Sequence, residues 1–155
     1  MGITYHVVAP TSDMLEASEE AGYRFPRPGA CGRYPTAREI RRALAGLEQC
    51  VVRFEVGADW WEASVEEEDR TCGISRSELI VSRSFTGDDD APLSFFFEKG
   101  NPDLHLRILS KITAICGPLL MWPNEGDPVL VFPDRLVRPT GPHGMCDTTM
   151  CSAIA

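Results

Sequence analysis

Residues 50–66 run Cys50-Val51-Val52-Arg53-Phe54-Glu55-Val56-Gly57-Ala58-Asp59-Trp60-Trp61-Glu62-Ala63-Ser64-Val65-Glu66, and their alternation decides the fold. Val52, Phe54 and Val56 alternate with Arg53 and Glu55, which is the period-two pattern of a strand with one wet face. Gly57-Ala58-Asp59 can reverse the chain, and a second strand follows from Trp60 to Glu66. Two strands joined by so short a turn must be antiparallel, because parallel neighbours need a long crossover.

The same rhythm continues downstream. Asp69-Arg70-Thr71-Cys72-Gly73 breaks the second strand, Glu78 to Arg83 forms a third, and Leu93 to Phe97 a fourth after the turn Gly87 to Pro92. Asn101 then caps a helix with Pro102 at its first position, Asp103 near the positive end of the dipole and Gly117-Pro118 as the stop. Leu104, Ile108, Ile112 and Ile115 share its apolar face. Leu119–Trp122 and Val129–Phe132 complete a hairpin around Pro123 to Pro128.

Upstream, Thr36 and Glu39 have the spacing of a capping box, and Ile40, Ala43, Leu44 and Leu47 form one helix face behind it. Thr4 to Val8 reads as a first strand, and Thr11-Ser12-Asp13 offers caps for a weak helix ending at Gly22. Tyr23 to Pro35 is irregular. The expected fold is α+β: one domain over residues 1–136, with about six to seven mainly antiparallel strands and two main helices. Residues 137–155 lose all pattern and are expected as a flexible tail.

Composition narrows the function classes. The chain has 155 residues, 43% hydrophobic and 25% charged, with a formal net charge of −8. That apolar fraction is too high for a disordered chain, and no apolar run approaches the length of a membrane helix. The negative charge argues against general nucleic-acid binding, which needs a basic face. Without the features of a secretory signal at Met1 to His6, a cytoplasmic protein is expected. Its six cysteines then have no reason to pair, and Cys50 and Cys116 should serve as small hydrophobes.

The charge is unevenly spread. Residues 23–42 carry a net +5 and residues 43–69 a net −7. Arg24, Arg27, Arg33 and Arg38, beside Tyr23, Phe25 and Tyr34, are candidates for anion binding, unless the chain's own acids neutralise them. Trp60 and Trp61 must point to opposite faces of a strand, so one is free to anchor a partner, with Glu62, Glu66 and Glu67 around it. The acidic runs Glu66 to Asp69 and Asp88 to Asp90 lack the alternation of a Ca²⁺ loop. His143, Cys146 and Cys151 fall short of a four-ligand zinc set, and neither a metal nor another cofactor is expected. No nucleophile elbow or phosphate loop is present.

The size and antiparallel α+β plan resemble the small single-domain proteins of bacterial toxin–immunity systems, a likeness of plan without a diagnostic motif. With the acidic stretch, it implies a non-enzymatic protein that binds a protein partner, an immunity-type inhibitor of a basic toxin enzyme being one form, away from membranes. Oligomeric state is left open. The alternative is a small enzyme or anionic-ligand domain with a pocket between helix and sheet around His105, Tyr34 and Arg38.

Overall fold

The capping box forms as the spacing predicts. Thr36 Oγ1 accepts from the Glu39 backbone N–H at 3.2 Å, and Glu39 Oε1 accepts from the Thr36 N–H at 3.0 Å. It opens a helix over Ala37–Ala45 that buries Ala37, Ile40, Ala43 and Leu44. Arg33 reaches the same carboxylate through two bonds of 2.7 Å. That guanidinium, with the Thr36 bonds, holds the Glu39 carboxyl down at about 2.

These elements belong to a computed structural model that describes residues 2–26, 32–57, 60–67, 75–81 and 90–140 and the backbone of 152–153. The strands are β1 (Thr4–Val8), β2 (Cys50–Val56), β3 (Trp61–Glu67), β4 (Ser75–Val81), β5 (Phe95–Gly100), β6 (Leu119–Pro123), β7 (Val129–Val131), β8 (Arg135–Val137) and the two-residue β9 (Ser152–Ala153). The helices are α1 (Ser12–Glu20), α2 (Ala37–Ala45) and α3 (Pro102–Cys116). All the strands join one antiparallel sheet in the order β2-β3-β4-β5-β1-β6-β7-β8-β9.

The α+β expectation therefore holds, with more strands than the six to seven anticipated and with α1 as a third helix. The added β8 is short and lies between prolines, where sequence periodicity has too few residues to register. Val137, first residue of the expected tail, closes β8 and is 4% exposed. Thr140 exchanges backbone hydrogen bonds with Arg24.

One sheet face is covered by α2 and α3. Tyr5, Val7, Trp61, Ala63, Val65, Leu79, Val81, Phe95, Phe97 and Met121 point into this core and meet Ile40, Leu44, Leu104, Ile108 and Ile112. The other face is covered by described residues at one end, where Phe25, Leu120, Leu130 and Val137 cluster with the half-buried Leu15, Tyr23 and Trp122. Among the described residues, no helix covers the β2–β5 half of that outer face. No helix among the described residues is long and apolar enough to cross a membrane.

Candidate functional site

Strand register builds the open face from charged residues. Glu55 lies directly opposite Glu62, Arg53 opposite Ser64, and Val51 opposite Glu66. One strand further, Glu62 faces Ile80, Ser64 faces Glu78, and Glu66 faces Arg76. Together Arg53, Glu55, Glu62, Ser64, Arg76 and Glu78 line a shallow open groove across β2, β3 and β4.

The groove is electrostatically unbalanced. Arg76 donates to Glu66 at 2.5 Å and lies 4.0 Å from Glu78, so its charge is taken up at one end. Burial raises the Glu62 carboxyl pKa, and repulsion from Glu78, Glu55 and Glu98 raises it further, with only Arg76 opposing. Like charges set directly across an antiparallel pair destabilise the sheet that carries them. The register that pairs Val52, Phe54 and Val56 with the buried Val65, Ala63 and Trp61 is what sets Glu55 opposite Glu62.

Along β2 the exposed surface is partly apolar, with Phe54 and Val56 on the helix side, opposite Ala63 and Trp61. Among the described residues the exposed large hydrophobics are Ile3, Val51, Phe54, Val56 and Trp60, and the last four line β2 and its hairpin. Trp60 is 39% exposed while Trp61 is 1% exposed. Alternation separates the two rings as expected, and the helix layer determines that Trp61 is the buried one. That removes Trp61 from the surface and corrects its place among partner contacts. The Trp60 indole lies so close to Gly57 that a Cβ there would fall 2.2 Å from Nε1. The absent side chain is what lets the ring settle across the turn.

The expected acidic cluster also divides. Glu62 and Glu66 share the outer face, whereas Glu67 points to the helix side and pairs with Arg107 of α3. A period of two puts adjacent glutamates on opposite faces. Sequence reasoning missed Glu78 and Glu98, which reach the site from β4 and β5 through register alone; the meander pattern was the only available signal.

The arginine island has partners within the chain. Arg33 pairs with Glu39, Arg38 with Asp90 at 3.0 Å, and Arg24 approaches Glu19 at 3.9 Å. Arg27 lies outside the described residues, as do His143, Cys146 and Cys151. Among the described residues no group of three or more His, Cys, Asp or Glu is placed to hold a metal ion.

His105 is fully buried in α3. Its Nδ1 lies 2.5 Å from the buried Ser77 Oγ, and its ring stacks on Phe97 at 4.4 Å and meets the edge of Tyr5 at 5.0 Å. Nε2 is buried without a hydrogen bond of good geometry. Burial lowers the pKa of the imidazole to about 4, partly opposed by the Lys99 backbone, so the ring is neutral. Arg38, by contrast, is exposed and turned to Asp90, and Tyr34 is half-buried at the rim of the core. This is the setting of a structural histidine, sealed from the surface residues that a helix–sheet pocket was expected to gather around it.

No family model, curated protein or solved structure matches the chain.

Proposed function

We propose that this chain is a non-enzymatic protein-binding module whose open sheet face receives a basic partner protein. The supporting observation is the Glu62 carboxylate, half-buried and repelled by Glu55, Glu78 and Glu98. A face arranged this way costs the free protein stability and gains it back when cations arrive. Complementary charge also speeds encounter and selects the partner. Trp60, exposed two residues before Glu62, supplies the amphipathic ring that interfaces favour as an anchor. An immunity-type inhibitor of a basic toxin enzyme is the form of this role that agrees with the charge and the compact α+β plan. A cytoplasmic setting goes with it, since the buried Cys116 is a free thiol.

The test is capture by the immobilised full chain, comparing wild type with Glu62→Lys/Glu78→Lys and with Glu16→Lys/Glu20→Lys on α1. A basic protein recovered by wild type and by the α1 variant, but reduced about tenfold or more by the sheet-face variant, is the expected result. Equal recovery by all three chains would overturn the reading.

A further inference from the structure

We propose that β2 pairs antiparallel with β2 of a second copy of this chain, about a twofold axis through Phe54. This goes beyond the reading above: the pairing groups are the backbone of the sheet edge, while Arg53 and Glu55, which also line the groove, select the register.

Among the described residues β2 has one strand neighbour, β3, and stands at the end of the sheet. Its seven residues pair with β3 in unbroken register, with no proline and no bulge. Natural edges are usually blunted by such breaks, or by lysine, because a long regular edge invites another strand. Here the edge also shows apolar side chains, with Phe54 45% and Val56 51% exposed beyond the reach of the helix layer.

The backbone determines which residues can pair outward. The Gly57 N–H donates to the Trp60 carbonyl at 2.8 Å, which marks Gly57 and Trp60 as a hydrogen-bonded pair. In an antiparallel ladder such pairs alternate, so Glu55, Arg53 and Val51 aim their backbone groups at β3. Val52, Phe54 and Val56 aim theirs at the free edge. A twofold axis through Phe54 then joins Phe54 to Phe54 of the second copy and Val52 to Val56, using all three outward residues.

Charge selects this register over its neighbours. With the axis at Phe54, Arg53 of each copy lies across from Glu55 of the other, twice, on the outer face. Moving the axis to residue 53 sets Arg53 against Arg53, and moving it to residue 55 sets Glu55 against Glu55. Opposite charges across a non-hydrogen-bonded pair stabilise it and like charges oppose it. Neither Arg53 nor Glu55 has an ion-pair partner among the described residues. The strand is self-complementary in backbone, apolar contact and charge at one register.

Sedimentation of the purified full chain tests this without any other protein, so its outcome is independent of the capture experiment. Wild type should self-associate to a dimer with rising concentration. Arg53→Glu alone and Glu55→Arg alone should each weaken the dimer about tenfold or more, and the double swap Arg53→Glu/Glu55→Arg should restore it. A monomer at all concentrations, or a double swap no better than the single variants, would overturn the proposal. Restoration by the swap also excludes misfolding as the cause of the single losses.

Discussion

Gly100→Ala is expected to destabilise the fold by at least about 3 kcal/mol, enough to lower its urea midpoint sharply. Gly100 has φ +108°, where an L side chain is strained. A Cβ at this position would fall 2.3 Å from the Arg76 carbonyl oxygen, which belongs to backbone and cannot swing aside. The neighbourhood leaves little slack. Lys99 already has φ 59°, the β4–β5 register shifts between Ser77 and Leu79, and the Asn101 N–H donates to the same Arg76 carbonyl at 2.9 Å. Asn101 Oδ1 then caps α3 by accepting from the Asp103 N–H. A collapse of this corner therefore reaches the helix that carries His105. Equilibrium unfolding checks it, and a midpoint within experimental error of wild type would contradict the corner's proposed tightness.

Acidification from pH 6.5 to pH 4 is expected to remove about 3 kcal/mol of stability through His105 alone. The sign follows from proton uptake. The unfolded imidazole takes a proton near 6.5, while the folded one, sealed against Phe97 and Tyr5, refuses it until about 4. Over that interval the unfolded state binds more protons, so stability falls as pH falls. Glu39 acts in the next window down: its carboxyl, held at about 2 by Arg33, contributes stability above 4.5 that is lost on the way to 2. Urea unfolding of wild type and His105→Gln across pH 7 to 4 separates the two residues. The variant should start lower at pH 7, having disturbed the Ser77 contact, and then decline less steeply to pH 4. Equal slopes would show that the buried imidazole does not govern acid stability.

Much of the architecture was readable because its signals are local. The Thr36–Glu39 box, the Asn101-Pro102 start of α3 and the alternation around Phe54 are each complete within a few residues. What escaped depends on distant partners. α1 buries only Ser18 completely, so its apolar stripe is thin, and its place on the outer face is evident only beside Phe25 and Leu120. Alternation predicts that Phe54 and Val56 share a face with Val52, but not that the helix layer stops short of them. The same limit applies to the site. Glu62 and Glu66 were found from one strand, whereas the Glu55–Glu62 opposition and the arrival of Glu78 exist only after pairing. Which tryptophan is outermost is likewise set by the side that α2 and α3 occupy.

In the proposed role, the unfavourable carboxylate arrangement of the outer face is what a cationic partner relieves. Binding of the captured basic protein to wild type and to Glu62→Gln, with the stability of both free chains measured alongside, tests it most directly. Removing one like charge from the Glu55–Glu62 pair should leave the free fold as stable or up to about 1 kcal/mol more stable. The same change should weaken partner binding about tenfold at low salt, with the difference shrinking as salt is added. Unchanged affinity, or a loss of affinity that merely follows a loss of stability, would contradict the account.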